Sequence, residues 1–297
     1  MTAPGPPGGQ RMDPVPVATQ LEHRAETTAS AHIRIRDARV SFTRADGPNV
    51  DALAGVDLQV ERGEFVCIIG RSGEGKTTLL NAVAGLVPLS GGEVLVDDRH
   101  VTKPGADRGV IFQADSVFPW MRVLANVEFG LRIRGIPRRR RREVAMEHLR
   151  QVELDGVAHA WPRELSGGMR ARVAVAAVFA NDPEVLLADE PFGALDYVTR
   201  RRLQAVILEQ WGRTRKTVLF VTHDVEEALV LASRIIVVSR GQIVENLPIE
   251  LGRPRSEAML ASKEAVAIRA LLLEHLGIAA PTTKRHDGAP LAAEELS

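Results

Sequence analysis

Cysteine is almost missing from this chain. Cys67 is the single one in 297 residues, which excludes an internal disulfide and any zinc framework built on cysteines, and suits a reducing compartment. Placed in the apolar run 65–69, it reads as a small buried residue rather than a reactive thiol. A surplus of charge is missing too. Lys plus Arg and Asp plus Glu both number 38, so no global field draws the chain to nucleic acid or anionic lipid, and a charged partner has to be met by a local patch. No apolar run approaches the roughly 20 residues needed to cross a bilayer. The longest is 173–180, and the chain is not expected to be an integral membrane protein. The proline- and glycine-rich N-terminus has no apolar h-region, so 1–31 is expected to be a disordered leader rather than a secretory signal. Ala, Pro and charge without helical period make 279–297 an expected disordered tail. There is no internal repeat. What is present, 45% hydrophobic residues, can fill one large α/β domain with an inserted subdomain, or two modest ones.

Periodicity gives the organisation. Residues 32–42 alternate apolar and polar, as do 56–60, which predicts two half-solvated strands. The continuous apolar run 65–69 predicts a strand buried on both faces, of the parallel kind, and 185–188 and 218–221 repeat it. Each of these two ends in a polar residue and then a helical pattern, the edge at which open α/β sheets bind ligands. Between Gln113 and Pro183 helical patterns dominate, notably 141–152 and 169–180. Asp224, with Glu227 three residues on, predicts a capping box opening a helix through Ala232. Residues 235–239 and 242–245 flank Arg240-Gly241 as a hairpin, and an amphipathic helix over 263–276 stops at Gly277. The expected division is a main domain over 32–255, with a helical subdomain at about 114–183, and a helical extension at 256–278.

Gly70, Arg71, Ser72, Gly73, Glu74, Gly75, Lys76 and Thr77 have the Walker A spacing, with a strand before them and a helical stretch from Thr78 to Leu86 after them. In that context glycines let backbone N–H groups converge on phosphates at a helix N-terminus. Lys76 neutralises β/γ oxygens, and the Thr77 hydroxyl is a Mg²⁺ ligand. Residues 185–190 end in Asp189-Glu190, a Walker B pattern. Asp189 is placed to orient Mg²⁺ through water and Glu190 to polarise an attacking water. Ser166, Gly167 and Gly168 precede a helix expected from Met169, and offer a second anion site at a helix N-terminus, with plain helix capping as the alternative.

These ordered motifs, over about residues 33–254, resemble the ATP-binding cassette family. The resemblance implies an α/β P-loop fold with an N-terminal antiparallel β subdomain and an inserted helical subdomain, and it implies hydrolysis of ATP with Mg²⁺. It also implies a homodimer in which Ser166, Gly167, Gly168 and the D-loop Asp196 act on the nucleotide held by the partner's Walker A. Gln113 resembles the Q-loop glutamine that touches Mg²⁺ and the attacking water, and His223 the switch histidine at the γ-phosphate. Phe42 is the candidate adenine-stacking aromatic, with a core position as the alternative.

Phe118-Pro119-Trp120-Met121, Met169, and the stretch from Pro191 to Asp196 narrow the likeness to importer ATPases of the nitrate, sulfonate and taurine group. That group implies separate integral membrane permease subunits and, through them, a solute-binding protein. The subunit would then lie peripherally on the cytoplasmic face of the inner (plasma) membrane. Trp120 falls where a permease docks, with a core role as the alternative. Ala171 and Ala177 stand where such importers carry Gln and Arg. The five arginines at 138–142, followed by Glu143 and Glu147, read as a solvated helix start rather than a nucleic-acid or headgroup patch, and no nucleic-acid partner is expected. A soluble ABC ATPase acting on nucleic acid or ribosomes is the rival class. It is disfavoured because this chain has one cassette and neither a coiled-coil nor a zinc insertion. A GTPase or small-molecule kinase is disfavoured by the lack of Asn-Lys-x-Asp.

Overall fold

Two sheets of different kind carry the molecule. The computed structural model describes residues 31–43, 49–113, 117–193 and 195–278; the expected leader, save Ala31, and the expected tail lie outside them. The alternating segments form β1 (Ala31–Phe42) and β2 (Val50–Glu61), an antiparallel pair. β4 (Gly91–Val96) and β5 (Arg99–His100) extend them to a four-stranded antiparallel sheet in the order β2-β1-β4-β5. The continuous apolar runs form β3 (Phe65–Ile69), β7 (Val185–Asp189) and β8 (Thr217–Val221), every residue of them buried. With β6 (Arg108–Ile111), β9 (Arg234–Ser239) and β10 (Gln242–Pro248) they make a six-stranded sheet in the order β10-β9-β3-β8-β7-β6. It is parallel except at β10, the second arm of the expected hairpin. Arg240 and Gly241 both have positive φ, 49° and 72°, as a two-residue turn between twisted strands requires.

The unbroken apolar runs follow from this placement, because successive side chains of a strand point to opposite faces. Phe65, Cys67 and Ile69 enter a core shared with the helices, while Val66 and Ile68 enter a second core shared with β1, β2, β4 and α1 (Lys76–Ala84). Burial pushes the Cys67 thiol far above its ordinary range, so it is inert, as expected for a buried structural thiol.

Between β6 and β7 lie three mutually packed helices, α2 (Val123–Ile133), α3 (Arg138–Gln151) and α4 (Gly167–Ala180). The sequence patterns marked α3 and α4, each starting two or three residues late, and did not mark α2. That helix has no side-chain cap and no acidic residue in its first turn, so the usual start signals are absent. The arginines at 138–142 form the opening turn of α3 and pair with carboxylates, Arg139 and Arg140 with Glu143 and Arg141 with Glu128, as a solvated helix start should. α5 (Tyr197–Thr214) and α6 (Val225–Leu231) cover the same face. The short α7 (Glu257–Leu260) and α8 (Lys263–His275) follow, with α8 against α6.

Candidate nucleotide site

The site is built at the C-terminal ends of β3, β7 and β8. After β3 the chain turns through the glycine-rich loop into α1, whose N-cap, Gly75, has φ 101°. A side chain there is excluded twice, by the left-handed backbone and by the Ala52 carbonyl that a Cβ would strike. Gly73, also at positive φ, faces open space, so backbone N–H groups can approach a ligand there. The Lys76 side chain folds back over this loop, and its ammonium donates to the carbonyls of Gly70 (2.9 Å) and Arg71 (2.8 Å). Burial lowers its pKa, and the nearby Glu190 and Asp189 carboxylates oppose that shift. Glu74, which the motif places among the nucleotide contacts, turns its carboxylate to the β9–β10 hairpin. It accepts from the Arg240 N–H, and the Gly241 N–H donates to its carbonyl at 3.1 Å. Its side chain stiffens the loop from outside.

β7 delivers Asp189 and Glu190. Asp189 is buried and accepts from the Thr77 hydroxyl at 3.1 Å. Burial raises its pKa, and the Thr77 bond works against that. Glu190 has φ 43°, a left-handed conformation that costs on the order of 1–3 kcal/mol for a non-glycine residue and is found at sites where geometry is imposed. Its N–H is tied to the Val221 carbonyl (3.0 Å), and the resulting aim brings two distant residues onto one oxygen. Gln113 Nε2 donates to Glu190 Oε2 at 3.2 Å, and His223 Nδ1 lies 3.0 Å from the same atom. Thus Lys76, Thr77, Gln113, Asp189, Glu190 and His223, from four separate stretches of sequence, form one constellation. Its hydroxyl, carboxylates and amide are hard oxygen donors, the set that suits Mg²⁺. With the open glycine loop and the Lys76 cation, they fit a nucleotide triphosphate with its metal.

Other expected residues have local partners of their own. Ser166 is the N-cap of α4, its hydroxyl accepting from the Met169 N–H (3.2 Å), and Gly167 and Gly168 form the first turn. Asp196 caps α5 by accepting from the Thr199 N–H (3.0 Å), and hydrogen bonds from Thr199 hold its carboxyl below the ordinary carboxylate range. The two caps are neighbours, since a Cβ on Gly168 would lie 3.3 Å from Leu195 and 3.7 Å from Thr199. Their hydrogen bonds serve their own helices. Phe42 ends β1 with 48% of its surface exposed, so it is not a core residue. Arg71, Ser72 and Thr78 occupy the loop and first helical turn as spaced.

Two features here were not legible in the sequence. The capping box at Asp224 is only half made. Asp224 accepts from the Glu226 and Glu227 N–H groups, but the Glu227 carboxylate is buried and accepts instead from the Thr222 hydroxyl at 2.7 Å. Burial raises the Glu227 pKa against that bond. Arg200 joins the elements on either side: it donates to Asp224 (3.0 Å) and to the Leu195 carbonyl (3.3 Å), and lies 3.5 Å from Glu227. It therefore links the segment before α5 to the turn that carries His223, a role that no local pattern announces.

Beside Gln113, an apolar groove of about 580 Å³ is lined by Phe112, Phe118, Trp120, Pro162 and Arg163, among others. Trp120 is 67% exposed on it, with its ring 5.5 Å from that of Phe118. The core alternative for Trp120 is thereby excluded. Ala171 and Ala177 pack partly buried against the helix-side core, so α4 is seated without the longer side chains expected there.

Comparison with known proteins finds likenesses over most of the chain. The profile described as ABC transporter matches residues 53–193. A putative ATP-binding protein of Brucella abortus is 50% identical over 220 residues, covering 73% of this chain and 85% of that protein. The taurine import ATP-binding protein TauB of Rhizobium johnstonii is 46% identical, over 76% of this chain and 87% of its own. The nitrate import ATP-binding protein NrtD of a Synechocystis strain is 44% identical, over 78% and 90%. Among solved structures, the dimeric bacterial ABC transporter cassette MJ0796 superposes with a TM-score of 0.68 at 32% identity, covering 73% of this chain and 99% of that one. The same cassette has been solved in a post-hydrolysis state bound to ADP and Pi, with a TM-score of 0.66.

Proposed function

Since this chain belongs to the ABC transporter family of ATP-binding proteins, we propose that two copies of it drive a separate membrane permease importing a small solute of the nitrate, sulfonate or taurine class. ATP binding and hydrolysis come with the family; the division of labour among residues is our reading. Lys76 and the loop N–H groups hold the phosphates, and Thr77, Asp189 and Gln113 supply oxygen to Mg²⁺, whose charge, when bound, offsets that of the phosphates. Glu190 Oε2 orients and deprotonates the attacking water, while Gln113 and His223 hold that carboxylate in place. Ser166, Gly167, Gly168 and Asp196, neighbours at the starts of α4 and α5, complete the site of a second copy, and Phe42 stacks on adenine. A cassette over 32–255, with its helical subdomain at about 114–183 and an extension at 256–278, is the domain division that goes with this reading. The subunit would sit peripherally on the cytoplasmic face of the inner membrane; no described helix is long and apolar enough to cross one.

The observation that carries the coupling to a permease is the exposed Trp120 on its apolar groove beside Gln113, because a bare tryptophan in an apolar hollow is what an interface anchor needs. A membrane-spanning protein and a solute-binding protein are expected to be encoded beside this chain. With the former co-expressed, Trp120→Ala should weaken co-purification at least tenfold while leaving the ATPase rate and melting temperature of the isolated subunit within error. Unchanged co-purification would remove Trp120 as the anchor, and neighbours of neither kind would favour the soluble, nucleic-acid-directed class.

A further inference from the structure

His32, Asp97 and Glu184 meet at the far end of the parallel sheet, where β7 and β8 begin. His32 is 2% exposed, yet its Nε2 has no hydrogen-bond partner among the described residues. It faces Asp97 Oδ2 at 3.6 Å and Glu184 Oε2 at 3.8 Å, and the donor atoms of all three residues lie within 4.8 Å of one another. An orphaned ring nitrogen between two carboxylate oxygens is costly as a protein interior and ordinary as a metal-ligand set. Bonds of about 2.0–2.2 Å from zinc at tetrahedral angles put neighbouring donor atoms roughly 3.3–3.6 Å apart. The two His32 separations, 3.6 and 3.8 Å, lie at and just above the top of that range.

We infer that His32, Asp97 and Glu184 bind one divalent transition-metal ion of the zinc class. One imidazole and two carboxylates select zinc-like ions over Mg²⁺ or Ca²⁺, which prefer oxygen alone. The frame is already fixed. The Asp97 N–H donates to the His32 carbonyl (3.0 Å), and the Thr217 N–H to that of Glu184 (3.3 Å). His32 Nδ1 lies 2.5 Å from Thr217 Oγ1, which also accepts from the Gly63 N–H. A histidine that ligates through Nε2 needs its other ring N–H held by an acceptor, and Thr217 is that acceptor. Asp97 and Glu184 are exposed enough to admit an ion from solvent, with water at the fourth position.

Arg62 is the competitor. Its guanidinium pairs with Asp97 and lies 3.4 Å from Glu184 Oε2, so it has to swing out as the ion enters. The site joins β1 and the β4–β5 turn to the parallel sheet, and β7 separates it from Glu190 by about 20 Å at the rise of an extended strand.

The test uses the untagged full chain without nucleotide, titrated with Co²⁺, whose tetrahedral complexes absorb in the visible, and with Zn²⁺ by calorimetry. Wild type should bind one equivalent with an affinity at least tenfold above that of His32→Gln, Asp97→Asn or Glu184→Gln, and Arg62→Gln should bind at least threefold more tightly than wild type. Asp97 and Glu184 are surface residues, so their variants decide the matter even if His32→Gln fails to fold. An ion held by Asp189, Glu190 and His223 would contribute equally to every variant. The site is overturned if neither wild type nor Arg62→Gln binds an ion that Asp97→Asn and Glu184→Gln weaken.

Discussion

Two clusters, each of one histidine and two carboxylates, sit at opposite ends of β7. At the C-terminal end, His223 is largely exposed and 3.0 Å from Glu190. At the N-terminal end, His32 is buried and lies 3.6 and 3.8 Å from Asp97 and Glu184. The residue types match and the surroundings do not. Around His223 lie a glycine loop, a cation and a carboxylate held at positive φ, which together make a place for a reacting ligand. Around His32 the partners are backbone groups, Thr217 and Arg62, which together make a joint between two sheets. The motif-bearing end is open to a ligand at Gly73, whereas the other end brings β1 against the start of the parallel sheet.

Substitutions should separate the two ends. The largest effect is expected from Glu190→Gln, which keeps shape and hydrogen bonding while deleting the charge that accepts a proton. Turnover should fall at least a hundredfold, in line with the usual contribution of a general base, with MgATP binding retained. An ATP-dependent dimer, long-lived on size-exclusion chromatography, should accumulate. Turnover near the wild-type rate would shift the base role to His223. Lys76→Ala comes next. It removes the one loop side chain that carries a positive charge into the buried part of the site, and should weaken MgATP binding about tenfold to a hundredfold, as the loss of a charged hydrogen bond implies. Calorimetry with the purified subunit reads this directly.

At the other end the expected losses are of stability. Thr217→Val keeps the volume of a fully buried side chain but leaves His32 Nδ1 and the Gly63 N–H without their partner. Denaturant unfolding should show a loss of about 1–3 kcal/mol, with the ATPase rate of the folded fraction unchanged. The smallest effect is the pH response of His32. Burial first, then the charge of Arg62, lowers its pKa from 6.5, against the pull of Asp97, Glu184 and Asp107. The unfolded chain therefore binds the proton more readily than the folded one. Stability from this histidine is full above pH 6.5 and is lost as pH falls from there through the folded pKa. His148, also lowered by burial, acts in the same direction. The part due to His32 is thus the difference in melting temperature between wild type and His32→Gln, which should shrink as the medium is made more acidic between pH 7 and 5. A difference independent of pH would mean that His32 titrates alike in both states.

How far the sequence could be read also divides along this line. Glycine loop, lysine, Asp189-Glu190 and Ser166 were legible because each is local: a few adjacent residues whose chemistry requires that order. The buried strands β3, β7 and β8 were legible because both of their faces are covered and their apolar runs are unbroken. α2 lacked a start signal, and β6 is four residues long and begins Arg-Gly. Glu227 was read as half of a capping box because the spacing fits one; only burial beside Thr222 decided otherwise. Trp120 and Phe42 were each open between core and surface, since an aromatic next to proline or at a strand end fits both, and the exposure of the folded chain resolved them outward.

By itself the sequence determined the order of the parts: a glycine-rich loop, a Ser-Gly-Gly helix start and an acidic pair, laid out on an α/β chain. Those properties depend on neighbours within a few residues, where covalent spacing fixes geometry. The tertiary structure alone decided that Gln113 and His223 share one oxygen of Glu190, that Arg200 ties Leu195 to Asp224, and that His32 faces Asp97 and Glu184. Each of these contacts closes a loop of tens to more than a hundred residues, and its distance is set by how neighbouring strands, helices and, at His32, the two sheets pack rather than by any pattern along the chain.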